Sequence, residues 1–232
     1  MQRHLFFDLD RTLWDFEANS KVALKHLFFD LKLDEKINNF ELFYEQYKLK
    51  NAELWKLYGA GKLAKEELRT KRFADSFALF EIADQKLIEK MSDGYVAISP
   101  LQTQLFPGSI ETLEQLKSDD YVLHIITNGF KEAQHIKLKN SLLTPFFDVI
   151  VCSEDIGKNK PNPEIFHYAT QKAKARIEES VMIGDDLEID IIGALNVGMK
   201  AILFDPENHY HNFIDGAKVK KIDEIPETLI WL

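Results

Sequence analysis

The chain has 232 residues, of which 45% are hydrophobic and 29% charged, and its formal net charge is −9. This balance is typical of a globular protein and excludes a disordered chain as the default interpretation. The acidic charge disfavours nucleic-acid polymers and anionic membranes as partners, because both are negatively charged. No apolar run reaches the length that a membrane span requires.

The first predicted element is a short buried strand at residues 5–7, which ends in the polar residues Asp8 and Asp10. Because these carboxylates interrupt the only apolar stretch near the N-terminus, it does not match a secretory signal. The single cysteine, Cys152, allows no intrachain disulfide, which fits a reducing compartment. We therefore expect a cytoplasmic protein.

The next segment, residues 15–98, has a helical pattern. Its aromatic residues recur at three- and four-residue spacing between 40 and 55, and no strand signal intervenes. The pattern predicts an all-helical insert of roughly four helices. The insert divides the remaining chain into 1–14 and 99–232, which we predict to form one core domain.

After Pro107-Gly108, strand and helix signals alternate. We predict strands at 121–126, 147–152, 181–183 and 201–204, and helices at 110–116, at 131–142, from Pro163 onwards, and at 187–197. Such alternation predicts an α/β fold in which helices cover both faces of a parallel sheet.

Polar residues follow three of these predicted strands. They are Asp8 with Asp10, Thr127 with Asn128, and Asp185 with Asp186. Because ligands bind beyond the carboxyl ends of the strands in open parallel sheets, we expect the three groups to converge on one crevice.

Carboxylates crowded at a strand end favour a divalent cation, and hard oxygen ligands suit Mg²⁺. A carboxylate such as Asp8 can also act as a nucleophile. Thr127 and Lys160 offer a hydroxyl and a point charge to an anionic oxygen. Taken singly, each residue has an ordinary alternative: a helix cap for Asp8 or Thr127, and a solvated surface position for Lys160.

Four segments, in order, resemble the motifs of the haloacid dehalogenase (HAD) superfamily. They are Asp8-Leu9-Asp10-Arg11-Thr12-Leu13, Ile126-Thr127-Asn128-Gly129, Lys160-Pro161-Asn162-Pro163-Glu164-Ile165-Phe166 and Gly184-Asp185-Asp186-Leu187-Glu188-Ile189-Asp190. The resemblance extends from residue 6 to about 204. It implies a Rossmann-like core sheet and identifies the helical insert as similar to the family's C1 cap.

The resemblance also implies catalytic roles. Asp8 is expected to attack phosphorus and form a phosphoaspartyl intermediate. Asp10 is expected to act as general acid and then as general base. Thr127 and Lys160 are expected to hold the phosphoryl oxygens.

The cofactor that the resemblance implies is Mg²⁺. Its expected ligands are Asp8, the main-chain carbonyl of Asp10, and Asp185. Asp186 or Asp190 is expected to support the metal, directly or through water, and the division between these two stays open.

A narrower set of motifs resembles the house-cleaning pyrimidine 5'-nucleotidases of the superfamily. These are Trp14-Asp15-Phe16, Thr127-Asn128-Gly129-Phe130, Ser153-Glu154-Asp155-Ile156-Gly157 and Lys160-Pro161-Asn162-Pro163. The implied partner is a small phosphorylated metabolite, specifically a nucleoside monophosphate. The predicted substrate-binding residues are Arg11, Trp14, Trp55, Arg72 and Asn128. Packing is the alternative for the tryptophans and surface charge for Arg72.

Several alternatives remain open at this point. A dehalogenase needs no acid to protonate its leaving group, because halide departs as an anion, so Asp10 favours phosphate chemistry. A phosphatase acting on sugar phosphates or phosphoglycolate, or a phosphomutase, would keep the same four motifs. A catalytically inactive binding module would be expected to lose one of Asp8, Asp10, Lys160 or Asp185. The sequence does not indicate an oligomeric state.

Overall fold

The computed structural model describes residues 3–211 and 216–232. It contains one six-stranded sheet in the order β3-β2-β1-β4-β5-β6, with every neighbouring pair parallel. The strands are β1 (His4–Phe7), β2 (Val122–Thr127), β3 (Phe147–Cys152), β4 (Ser180–Gly184), β5 (Lys200–Phe204) and β6 (Ala217–Val219). The predicted parallel α/β fold is therefore confirmed.

The described residues also form nine α-helices. They are α1 (Phe16–Asp30), α2 (Phe40–Gly59), α3 (Lys65–Ala78), α4 (Gln85–Ile98), α5 (Ser109–Ser118), α6 (Lys131–Asn140), α7 (Pro163–Ala173), α8 (Gly193–Leu195) and α9 (Ile225–Leu229). Among the described residues, none of the helices is both long and apolar enough to cross a membrane.

The chain divides into two compact units. One comprises Met1–Phe16 and Thr103–Leu232, and the other comprises Glu17–Gln102. The predicted core domain comprises 1–14 and 99–232, and the predicted helical insert comprises 15–98. Residues 1–2 and 212–215 of these predicted segments lie outside the described residues.

In the first unit, alternate residues of each strand pack on opposite faces of the sheet. Leu5 and Phe7 of β1 join a cluster with residues of α5, α6 and α9. Phe6, between them, joins a second cluster with residues of α7 and α8. Helices thus cover both faces of the sheet.

The second unit is helical, and its core is rich in aromatic side chains. The rings of Tyr47 and Phe73 stack with centroids 5.3 Å apart, and Tyr95 packs 5.6 Å from Phe73 in an edge-on arrangement. Helix α2 begins at Phe40 because Asn39 accepts hydrogen bonds from the first exposed backbone amides. The predicted all-helical insert is confirmed as part of the fold.

Two details of the first unit differ from the predicted elements. The predicted helix 187–197 instead starts as a wide π-helical turn, Leu187–Ile192, and only then continues as α8. Strand β6 was not predicted, because a three-residue strand carries almost no periodic signal. Helix α9 docks on the core through Ile225 and Leu229.

Candidate active site

The candidate active site lies at the carboxyl ends of three adjacent strands, β2, β1 and β4. Asp8 follows β1, Thr127 ends β2 and Asp185 follows β4. The register fixes their proximity, since Phe7 pairs with both Ile125 and Ile183, so the three strands end at the same level. The sheet order therefore brings these three sequence-distant groups to one edge.

Lys160 reaches this edge from the loop before α7 and is almost fully buried. Its ammonium lies 2.7 Å from Asp8 Oδ1, 2.6 Å from Asp190 Oδ1 and 2.7 Å from the main-chain carbonyl oxygen of Ile126. Although burial alone would lower the pKa of Lys160, the carboxylates of Asp190 and Asp8 raise it above its usual value. The side chain is thus held as a cation, in contrast to the solvated surface position that a single lysine suggests.

The acidic cluster, defined here as Asp8, Asp185 and Asp190, includes both carboxylates that pair with this ammonium. One carboxylate oxygen from each residue lies within 4.8 Å of the others. Burial is the main cause that raises the pKa of Asp8 to about 7, and Asp190 adds repulsion that Lys160 partly offsets. Burial and the two neighbouring carboxylates also raise the pKa of Asp185.

This arrangement fits a divalent cation. The three carboxylates lie close together and one ammonium pairs with two of them, so two negative charges among these four groups have no counter-charge when all are ionised. Oxygen ligands at this separation suit a hard cation, and such an ion would relieve the repulsion that raises the pKa values.

The structure separates the positions of the two remaining acidic candidates. Asp190 belongs to the acidic cluster because the π-helical turn carries its carboxylate back over the end of β4. A Cβ atom on Gly184 would lie 2.3 Å from Asp190 Oδ2, so this close approach requires glycine. Asp186 instead caps the turn, where its Oδ1 accepts from the amides of Glu188 and Ile189.

The Asp10 carboxylate is not part of the acidic cluster and has its own partners. Lys137 Nζ is 2.5 Å from Asp10 Oδ1, and Gln134 Nε2 is 3.0 Å from Asp10 Oδ2. We call Asp10, Lys137 and Gln134 the Asp10 clamp. Neither α6 residue was among the predicted site residues. The helical spacing of Gln134, Leu138 and Ser141 indicates a buried face of α6, but lysine is mostly exposed in proteins, so the pattern did not single out Lys137.

Thr127 is connected to the clamp. Its Oγ1 accepts hydrogen bonds from Gln134 Nε2 at 2.6 Å and from the backbone amide of Gly129 at 3.1 Å. A hydroxyl oxygen has two lone pairs and one proton. Because both lone pairs are used, the hydroxyl proton is directed to a further acceptor, as an anionic ligand would supply.

Two further motif residues support the catalytic groups through the main chain or through hydroxyl contacts. Asn128 Oδ1 accepts from the backbone amide of Lys160 at 2.7 Å, and its Nδ2 donates to the Lys160 carbonyl at 3.0 Å. The structure thus gives Asn128 a role in fixing Lys160. Thr12 Oγ1 lies 3.3 Å from Asp185 Oδ1 and 3.5 Å from Asp8 Oδ2.

The other predicted substrate contacts lie in varied surroundings. Arg11 is exposed, with its guanidinium 4.3 Å from the Phe16 ring, and its charge lowers the raised pKa of Asp185. Its backbone adopts φ 66°, a left-handed conformation in which glycine is favoured. Trp14 is fully buried in the core cluster of the sheet unit, which favours its packing role.

The remaining two candidates belong to the helical unit. Arg72 is buried there, 4.6 Å from the Tyr95 ring, with Nη1 3.4 Å from Asn51 Oδ1. Trp55 is half-buried on α2 and packs edge-on against Tyr58 at 5.4 Å. The internal contacts of Arg72 favour packing over surface charge, and substrate contact by either residue stays a prediction.

Comparison with known proteins decides the family. The sequence model described as "Haloacid dehalogenase-like hydrolase" matches residues 5–204. The chain belongs to this family. The resemblance drawn from the four motifs is therefore confirmed, and the match includes every group of the acidic cluster and the Asp10 clamp.

Three relatives of this HAD-like hydrolase are informative. The HAD-hydrolase YfnB of Bacillus subtilis is 31% identical over 231 residues, covering 98% of this chain and 95% of YfnB. The pyrimidine 5'-nucleotidase PynA of Streptococcus pneumoniae is 34% identical, covering 89% and 86%. A glyceraldehyde 3-phosphate phosphatase of Methanothermobacter thermautotrophicus is 32% identical, covering 98% of each chain.

Similarity extends to solved structures. A crystal structure of YfnB, described as bound to magnesium, superposes with a TM-score of 0.87 at 30% identity and covers 99% of both chains. The HAD fold, with its parallel core sheet and helical insert, is thus shared over the whole chain.

Proposed function

We propose that this HAD-like hydrolase is a magnesium-dependent phosphatase that cleaves small phosphomonoesters through a phosphoaspartyl intermediate on Asp8. The observation that carries the proposal is the buried Asp8 carboxylate, held 2.7 Å from the Lys160 ammonium and beside two further carboxylates. A phosphate dianion can approach a carboxylate nucleophile only where positive charge offsets the repulsion. Lys160 provides part of that charge, and the acidic cluster provides a site for more.

The proposed reaction has two steps. In the first, an Asp8 oxygen bonds to phosphorus while the bond from phosphorus to the ester oxygen breaks, and Asp10 transfers its proton to that oxygen. In the second, ionised Asp10 takes a proton from water as the water oxygen bonds to phosphorus. Phosphate leaves, and the Asp8 carboxylate is restored.

The remaining groups would hold the transferring phosphoryl group. The Thr127 hydroxyl proton and the Lys160 ammonium are the donors in reach of its oxygens. Asp8, Asp185 and Asp190, with the predicted main-chain carbonyl of Asp10, would hold Mg²⁺. The bound cation would neutralise charge on the nucleophile and on the phosphate, and the magnesium described for YfnB supports this choice of metal.

For the substrate, we propose a nucleoside 5'-monophosphate with a pyrimidine base. The support is the similarity to PynA, a pyrimidine 5'-nucleotidase, together with the narrower motifs around Trp14, Thr127 and Lys160. A sugar phosphate is the second candidate, because the glyceraldehyde 3-phosphate phosphatase is 32% identical over nearly the full length.

The test is a substrate panel assayed with Mg²⁺ and again with excess chelator. We expect magnesium-dependent release of phosphate, fastest from pyrimidine nucleoside monophosphates and slower from triose and hexose phosphates. Asp8→Asn is expected to reduce turnover by about 10⁴-fold or more while the folded state remains, because the amide has nearly the same shape as the carboxylate but cannot act as the nucleophile. Asp148→Asn, which changes an exposed carboxylate on β3, is the matched control and is expected to leave turnover unchanged.

Two results would contradict the proposal at different levels. Substantial turnover by Asp8→Asn would exclude Asp8 as the nucleophile. A panel that ranks triose phosphates above nucleotides would reject the nucleotide substrate and leave the phosphatase reaction in place.

A further inference from the structure

The Asp10 clamp is a feature that the proposed reaction does not by itself require. Gln134 and Lys137 are three residues apart on α6, so their side chains extend from the same face of the helix. Each binds a different oxygen of Asp10, Lys137 at 2.5 Å and Gln134 at 3.0 Å. Since each carboxylate oxygen has two lone pairs, one donor on each leaves a lone pair on both for proton transfer.

Gln134 also connects Asp10 with the phosphate-binding hydroxyl. Its Nε2 donates to Thr127 Oγ1 at 2.6 Å as well as to Asp10. Because an ionised carboxylate only accepts hydrogen bonds, the amide nitrogen is the end that must face Asp10. The side chain is fully buried, and a Cβ atom on Gly129 would lie 2.4 Å from Nε2. Gly129, which has no Cβ atom, therefore leaves space for the Gln134 amide.

Packing alone does not explain the lysine. Lys137 is buried, and its ammonium lies 4.2 Å from the Trp14 ring centroid and 5.8 Å from that of Phe16. A methionine or leucine side chain would pack against these two rings without the free-energy cost of desolvating a charged group. The aromatic rings instead confine the ammonium on one side, and Asp10 binds it on another.

We propose that Lys137, together with Gln134, is a positioning residue that orients the Asp10 carboxyl for proton transfer to and from the reacting oxygens. The inference rests on the proposed function, because it needs Asp10 as acid and base. The Lys137 ammonium fixes one oxygen of Asp10, and the Gln134 amide fixes the other relative to Thr127. The proton itself moves only between Asp10 and the leaving oxygen or water.

The test compares two substrates that differ in their need for an acid. An alkyl phosphate such as a nucleoside 5'-monophosphate has a poor leaving group that must be protonated, whereas 4-nitrophenyl phosphate has a good one. For Lys137→Met, we expect the first-turnover rate of ester cleavage, measured by rapid quench, to fall roughly 10- to 100-fold on the alkyl phosphate and less than about threefold on the aryl phosphate. The first turnover is the quantity to compare, because hydrolysis of the phosphoaspartyl intermediate needs Asp10 as base after either substrate.

Lys139→Met is the matched control, since Lys139 is exposed on the same helix, and it should behave as the wild type on both substrates. The double variant Asp10→Asn/Lys137→Met should be no slower on the alkyl phosphate than Asp10→Asn alone, because both act on one proton transfer. If Lys137→Met does not fold, Lys137→Gln keeps a donor without the charge and permits the same comparison.

The possible results separate this inference from the proposed function. An equal loss of first-turnover rate on both substrates, or no loss on either, would overturn the positioning role while leaving the phosphatase in place. A wild-type protein that hydrolyses neither ester would overturn the proposed function and this inference with it.

Discussion

We distinguish two sides of the site, the acidic cluster and the Asp10 clamp, which balance charge differently. In the cluster, three carboxylates lie close together but only those of Asp8 and Asp190 pair with the ammonium of Lys160, and burial raises the pKa of both Asp8 and Asp185. In the clamp, one carboxylate meets one ammonium and one amide, with a donor for each oxygen. The cluster is thus deficient in positive charge, whereas the clamp is complete within the chain.

The two arrangements separate ligand binding from proton transfer within one site. A group of carboxylates that lacks positive charge gains free energy when a cation or a protonated ligand arrives. A carboxylate whose partners are all supplied by the protein keeps its geometry in the absence of ligand. Variants on the two sides should therefore change different measurements.

The largest expected effect is on metal binding and its pH dependence. Because the pKa of Asp8 is raised to about 7, Mg²⁺ must displace a proton below that pH. We expect the affinity for Mg²⁺ to rise about tenfold per pH unit well below pH 7, and about 50-fold in all from pH 5 to pH 7, with protons released on binding. Calorimetry in buffers of different ionisation enthalpy measures both quantities.

Asp10→Asn is the comparison variant for this measurement, because the Asp10 side chain lies outside the acidic cluster. The variant should shift the pH dependence of metal affinity only slightly, because Asp10 contributes less than burial and Asp190 to the raised pKa of Asp8. An affinity that does not change with pH in the wild type would contradict the charge deficit assigned to the cluster.

A smaller effect is expected from alanine at two glycines, one next to the acidic cluster and one next to the Asp10 clamp. Gly184→Ala should displace Asp190 and weaken Mg²⁺ binding roughly tenfold, with no change in leaving-group dependence. Gly129→Ala should displace Gln134 and slow alkyl phosphates more than aryl phosphates, with Mg²⁺ affinity retained. Titration calorimetry and the two-substrate assay distinguish them.

Gly59→Ala is the control for the glycine pair, because a Cβ atom there would meet no heavy atom within 4 Å. It should leave metal binding and both activities unchanged. If Gly129→Ala and Gly184→Ala gave the same pattern of losses, the two sides would not be separable.

The smallest expected effect is on stability in the presence of chelator. Since the folded-state pKa of Asp185 is raised above 3.8, the metal-free folded protein holds this proton more tightly than the unfolded chain. The metal-free protein therefore loses stability as the pH rises above about 4, and Asp185→Asn should be stabilising at pH 8 relative to pH 5. Urea denaturation at the two pH values measures this difference.

Asp10→Asn should have the opposite sign at pH 8. It leaves the buried Lys137 ammonium without its carboxylate and should cost about 1 kcal/mol, a modest value because Asp10 is partly exposed. A stabilisation by both substitutions would show that the clamp, like the cluster, carries excess negative charge.

The sequence was sufficient to predict the sheet, the helical insert and the placement of Asp8, Thr127 and Asp185 at strand ends. Strand alternation determines which residues follow a strand, and the parallel topology then brings those strand ends together. These predictions depend on local pattern and on general rules of chain connection. They do not require knowledge of any individual side-chain contact.

The contacts of Lys137, Asn128 and Asp190 could not be predicted in the same way. A lysine next to Leu138 on an otherwise polar helix has the pattern of a solvated side chain, and only the packed aromatic rings show that it is buried. Asn128 was predicted as a substrate contact because it follows Thr127, but its partner 32 residues away depends on how the loop before α7 folds back. The position of Asp190 depends on a π-helical turn that periodicity does not distinguish from an α-helix.

Trapping the phosphoaspartyl intermediate tests whether Asp8 accepts the phosphoryl group. The Asp10→Asn variant should form the intermediate from 4-nitrophenyl phosphate but hydrolyse it slowly, because the base for water is missing. Acid quench, borohydride reduction and peptide mass spectrometry should then find homoserine at position 8. A burst of 4-nitrophenol with an unmodified Asp8, or with the modification on another residue, would contradict the assignment of Asp8 as the phosphoryl acceptor.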